Sequence, residues 1–115
     1  MSVPHPLPDP LAELIAERFR VLSEPTRIRI LDRLREGEAT VGELARDLGA
    51  GQQNVSKHLG VLAQAGLVAR EKDGNAVRCR IVDDSVFDLC ELVCGGIARQ
   101  VDEIRTLLEQ TEATP

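Results

Sequence analysis

The chain has 115 residues, 43% of them apolar, and a formal net charge of −5. That length allows one core of marginal size, and the core must be aliphatic because Phe19 and Phe87 are the only aromatic residues. No run of about 18 apolar residues is present to span a membrane. "MSVPHPLPDP" lacks the charged and apolar regions of a secretory signal, so a cytoplasmic protein with reduced cysteines is expected.

Four of the six prolines fall in the first ten residues, and residues 1–9 read as a flexible N-terminal arm. Asp9-Pro10 has the form of an N-cap followed by proline at N1, opening a first helix that runs to about Leu22. In "SEPTRIRILDRLREG" Ser23 is the candidate cap of a second helix. Ile28, Leu31 and Leu34 mark its buried stripe, and Gly37 stops it.

"TVGELARDLG" reads as a short third helix. Thr40 and Glu43 have capping-box spacing, Val41, Leu44, Ala45 and Leu48 make one apolar face, and Gly49 terminates it. "GQQNVSKHLGVLAQAG" is a fourth helix with Val55, Leu59 and Leu62 inside. The period then changes to two: Val77, Cys79 and Ile81 alternate with Arg78 and Arg80, and Asp73-Gly74 is a tight-turn signal, so a two-stranded hairpin is expected.

Ser85 and Asp88 have the spacing of another capping box, ahead of a long helix to about Glu109. Its apolar positions are Phe87, Cys90, Cys94, Ile97, Val101, Ile104 and Leu108. The expected class is mainly α with a small β-hairpin: a winged helix-turn-helix of about five helices and a two-stranded wing. Residues 10–109 form the one domain and 110–115 a frayed tail.

Charge is unevenly placed. Twelve of the 14 Lys and Arg residues, but only eight of the 19 acidic ones, lie between Arg18 and Arg80. A basic middle between acidic ends permits a phosphate-binding face on an acidic protein. A short helix, a tight connection and a helix with a polar N-terminal half make the helix-turn-helix pattern, whose second helix enters the major groove. Gln52, Gln53, Asn54, Ser56, Lys57 and His58 are its candidate DNA contacts, because amides pair with adenine edges and Ser and Lys suit phosphate or guanine. Arg70, Lys72, Asn75 and Arg78 of the hairpin are candidates for flanking phosphates or the minor groove.

"LSEPTRIRIL", "TVGELARDLGAGQQNVSKHLGVLAQAGLV" and "KDGNAVRCRI" together resemble the ArsR/SmtB family of bacterial transcriptional repressors, over about Phe19 to Val82. The resemblance implies a homodimer paired through its first and last helices, bound to double-stranded operator DNA at an inverted repeat and released by a signal. It implies no enzymatic activity, and no catalytic constellation is visible. The family's better-known metal sites do not carry over. Thr40 and Gly42 stand where arsenic sensors have Cys-x-Cys, and one carboxylate remains of the zinc-sensor set on the last helix.

Cys90 and Cys94, at i and i+4, share a helix face. Thiolates so placed suit a soft ion such as As(III), Cd(II), Pb(II), Cu(I) or Zn(II), or oxidative and persulfide chemistry. Two ligands need completion, from Cys79, from His5 in the arm or from a second protomer. Free cysteines also pack as small apolar residues. Three readings follow: a repressor that senses a metal, metalloid or thiol-reactive signal, a constitutive DNA-binding regulator with structural cysteines, and a winged helix used for protein contacts.

Overall fold

The computed structural model describes residues 2–112. In chain order the elements are α1 (Asp9–Val21), α2 (Pro25–Leu34), β1 (Ala39–Thr40), α3 (Val41–Leu48), α4 (Gln52–Gln64), β2 (Val68–Asp73), β3 (Ala76–Ile81) and α5 (Ser85–Glu112). None of these helices is long and apolar enough to cross a membrane. The backbone divides after Asp83 into two compact units.

The starts of α1 and α2 both differ from the expected ones. Ser23 does not cap α2; its hydroxyl donates to Arg20 O at 2.7 Å and closes the end of α1 instead. The cap is Glu24, whose carboxylate accepts from the Thr26 backbone N–H at 3.1 Å. The reason is Pro25. A residue before proline is driven to extended backbone, and Glu24 sits at φ −102, ψ 119, where an N-cap must be. Likewise α1 starts one residue earlier than expected, with Pro8 at the cap position and Asp9 already helical.

The inner face of α2 is also rotated from the expected stripe. Ile30, Leu31 and Leu34 are buried, whereas Ile28 is 41% exposed. Both stripes share Leu31 and Leu34, and the packing of α2 on α3 and α4 selects Ile30 over Ile28. Arg33 Nε donates to Asp47 Oδ2 at 2.9 Å and ties α2 to α3.

The capping box of α3 is complete. Thr40 Oγ1 accepts from Glu43 N at 3.1 Å, and Glu43 Oε1 accepts from Thr40 N at 3.2 Å. Gly49 ends the helix at φ 63, a left-handed position that suits glycine. The Thr40 backbone N–H, then its hydroxyl, hold the Glu43 carboxyl below the ordinary 4.5. A depressed folded-state pKa contributes stability that is complete above 4.5 and is lost as pH falls through the folded value. Glu43→Gln keeps the hydrogen bonds and removes the charge. In thermal melts this variant is expected to be less stable than the wild type at neutral pH, with the gap closing under acid. A gap independent of pH would contradict the assignment.

The sheet has three strands, in the order β1-β3-β2, rather than the expected two. β1 adds Ala39 opposite Cys79 and Thr40 opposite Arg78. Two residues are too few to display an alternating pattern, and Thr40 also serves as the α3 cap. The hairpin closes with Asp73 opposite Ala76, leaving Gly74 and Asn75 as a two-residue turn. Gly74 takes φ 63 while Asn75 stays negative, the pattern of a type II′ turn.

The core of the first unit is aliphatic. Val55, Leu59 and Leu62, the expected inner stripe of α4, are each 0% exposed, as are Ile30, Leu44 and Cys79. No aromatic residue is among the buried set. In the second unit, α5 is 28 residues long, about 42 Å at 1.5 Å per residue. It continues through Glu112, and the remainder of the expected tail, 113–115, lies outside the described residues. Val86 is buried, Phe87 and Cys90 are half-buried, and Cys94, Ile97, Val101, Ile104 and Leu108 are exposed.

Candidate nucleic-acid interface

The buried stripe of α4 dictates what its other side presents. With Val55, Leu59 and Leu62 turned inward, helical geometry puts Gln53, Ser56, Lys57 and Gly60 on the outward face. Gln52, Gln53, Asn54, Ser56 and Lys57 are all exposed. Gly51 starts the helix without a side-chain cap, so its first backbone N–H groups have no side-chain acceptor there and point toward solvent. Such an end attracts phosphate.

A groove of about 460 Å³ opens beside this face. Gln52, Gln53 and Ser56 of α4 form one wall, Thr40, Val41 and Gly42 another, and Asn75 to Val77 of the hairpin the third. Gly42 matters here because a Cβ at that position would stand 3.6 Å from Gln52 Nε2 and 3.9 Å from Thr40 Oγ1. Gln52 therefore lies over the first turn of α3, while Gln53 and Ser56 line the groove on the outward face.

His58 is set apart from this row. It is half-buried, and its Nδ1 lies 3.3 Å from Arg27 Nη1 on α2. A guanidinium only donates, so in the neutral ring Nδ1 accepts and the hydrogen sits on Nε2. Arg27 in turn donates from Nε to Val21 O at 2.6 Å. This chain of bonds joins α1, α2 and α4.

Register sorts the hairpin residues. Arg70 pairs with Cys79 and Lys72 with Val77, so both lie on the face of the sheet that carries buried Cys79. Arg78 pairs with Glu71 and lies on the opposite face. Its guanidinium contacts Asp73 Oδ2 at 3.4 and 3.5 Å. The structure thus gathers Gln52, Gln53, Ser56 and Asn75 around one groove, puts Lys57 and Asn54 on the exposed helix surface beside it, engages Arg78 with Asp73 opposite Thr40, and sets His58 apart. Thr40, Val41 and Gly42 also belong to the groove and were not among the candidates. The third strand brings them there, and only the Thr40 capping box was visible in the sequence.

The cysteines differ in setting. Cys79 is fully enclosed, and burial pushes its thiol above the ordinary 9.0, as expected of an inert packing residue. Cys90 is half-buried and Cys94 exposed. Among the described residues no three His, Cys, Asp or Glu side chains stand together as a metal site.

Three packed helices, the last with an exposed polar N-terminal half, followed by a hairpin that forms a groove with it, define a winged helix-turn-helix regulator rather than an enzyme. Comparisons with known proteins agree. Residues 22–71 match a family described as a helix-turn-helix domain. The HTH-type transcriptional regulator Rv0081 of Mycobacterium tuberculosis, itself described as uncharacterized, is 40% identical over 106 residues, 91% of this chain and 93% of its own. Its crystal structure aligns with a TM-score of 0.73 over 84% of this chain and 97% of that one. A probable mercury resistance operon repressor of Streptomyces lividans is 37% identical over 91 residues, 79% of this chain and 70% of its own. Mb0332 of Mycobacterium bovis, solved in solution as a homodimeric winged helix-turn-helix DNA-binding domain and a possible ArsR-family regulator, aligns at a TM-score of 0.68. That match has 28% identity and covers 81% of this chain and 86% of that one. The chain belongs to the ArsR/SmtB family of transcriptional regulators.

Proposed function

We propose that the chain is a cytoplasmic, homodimeric repressor that binds an inverted repeat in operator DNA and releases it on a metal, metalloid or thiol-reactive signal. The observation that carries the DNA-binding part is the groove shared by Gln52, Gln53, Ser56 and Asn75, between an amide-lined helix and a hairpin tip. Two such readers related by a two-fold axis match two half-sites.

Dimerisation is supported by the surface of α5. Cys90, Cys94, Ile97, Val101, Ile104 and Leu108 recur at steps of four and three, and from Cys94 onward these residues are exposed. An apolar row of that spacing suits helix–helix packing and is costly to leave in water. The homodimeric state of the Mb0332 domain points the same way.

The signal is inferred from Cys90 and Cys94. One helical turn separates them, about 5–6 Å between Cβ atoms, close enough to share a soft ion. They fit Zn(II), Cd(II) or As(III) only in part, since those ions take three or four ligands and a second copy would have to supply the rest, whereas Hg(II) and Cu(I) accept two thiolates. The mercury-resistance name of a relative agrees with soft-ion sensing.

One titration separates the readings: binding of wild type, Cys90→Ser and Cys94→Ser to the protein's own promoter DNA, with and without Hg(II), Cd(II), As(III) or persulfide, over a salt series. Expected is steeply salt-dependent binding by all three. Release by one of these reagents is expected at about a hundredfold, close to 2.7 kcal/mol of coupling, for wild type alone. Equal release by the serine variants would remove the thiols from sensing. No promoter binding at low salt would favour a winged helix that contacts protein.

A further inference from the structure

The outward row of α4 is interrupted by Gly60. Successive turns present Gln52 and Gln53, then Ser56 and Lys57, and at the next turn a residue with no side chain. A side chain of another element lies beside that space. A Cβ built at Gly60 would stand 3.8 Å from Arg70 Nη1, an ordinary van der Waals contact, so the guanidinium lies beside this turn of α4. Arg70 is the third residue of β2, on the sheet face of Cys79, and it reaches back along α4.

Its setting differs from that of the neighbouring arginine. Arg78 is engaged by Asp73. Arg70 is exposed, and among the described residues its guanidinium has no hydrogen-bond or ion-pair partner. A planar fork of donors aligned with a recognition row matches the O6 and N7 acceptors of guanine in the major groove.

We propose that Arg70 reads a base: its guanidinium takes the place of a recognition-helix side chain at position 60 and selects a guanine at the end of each half-site. The inference rests on the DNA-reading function proposed above. It moves Arg70 from a flanking contact of the wing to the row that decides sequence.

The test is selection by the full-length protein from duplexes randomised around its preferred half-site, taken from its own promoter DNA, together with a salt series. Arg70→Ala and Arg70→Lys are expected to lose guanine preference at one position per half-site while the other positions keep theirs. Affinity for the preferred duplex should fall about ten- to hundredfold. Arg70→Lys should keep the wild-type salt slope, because the charge remains while the fork is lost. Gly60→Leu, which fills the space with Arg70 still present, should flatten the same position.

Uniform weakening with every base preference intact, and a slope reduced by about one for Arg70→Ala, would make Arg70 a phosphate contact and overturn the proposal. Failure of the wild type to select any sequence would instead overturn the DNA-reading function, and this inference with it.

Discussion

Leu59→Ala is expected to lower the stability of the protein by about 2–5 kcal/mol, out of a total of about 5–15 for a domain of this kind. Leu59 is 0% exposed and sits midway along α4, which packs on both α2 and α3. Removing its branched end leaves a cavity in a core that has no aromatic residue to lean into it. The loss should appear as a lower urea midpoint with an unchanged slope, at a fixed protein concentration so that association does not blur the comparison. Leu59→Met keeps the volume and should cost less than about 1.5 kcal/mol. A wild-type midpoint for Leu59→Ala would mean that this stripe does not hold the recognition helix.

The same leucine shows what could be read from the sequence. Val55, Leu59 and Leu62 stood out because helical spacing is a local property, and so did the Thr40–Glu43 capping box and the Gly49 stop. Each is decided within one turn of chain. The misplacements arise where a local tie is broken from a distance. Ile28 and Ile30 fit a buried stripe about equally well, and only the packing of α2 on α3 and α4 chooses Ile30. The cap of α2 was an exception that local rules would have caught, since Pro25 already dictates an extended Glu24.

At the interface the residue types were legible and their grouping was not. Ten polar residues of α4 and the hairpin were candidates, yet the groove collects four of them together with the start of α3. Part of that sorting was available in the hairpin itself. A two-residue turn at Gly74–Asn75 places Arg70 opposite Cys79, and therefore on the face away from Arg78. The two-residue β1 strand gave no pattern to read, so Thr40 and Gly42 could not be placed beside Gln52.

That geometry separates two residues one turn apart on α4. Gln53 lines the groove, whereas Lys57, one turn further on, is exposed outside it. Gln53→Ala is expected to cost about 1–3 kcal/mol on the preferred operator and almost nothing on unrelated duplex, because an amide that reads a base edge adds affinity only where that base is present. Lys57→Ala should weaken both duplexes by a similar factor. Its plot of log affinity against log salt should be shallower by about 0.9, the signature of one lost phosphate contact. Fluorescence anisotropy on the two duplexes over a salt series measures all four quantities. The assignment fails for Gln53 if its loss weakens the two duplexes equally, and for Lys57 if the slope does not change. Should the two patterns be exchanged, the lysine would be the reader and the glutamine the anchor, and α4 would have to sit in the major groove rotated from the orientation its buried stripe implies.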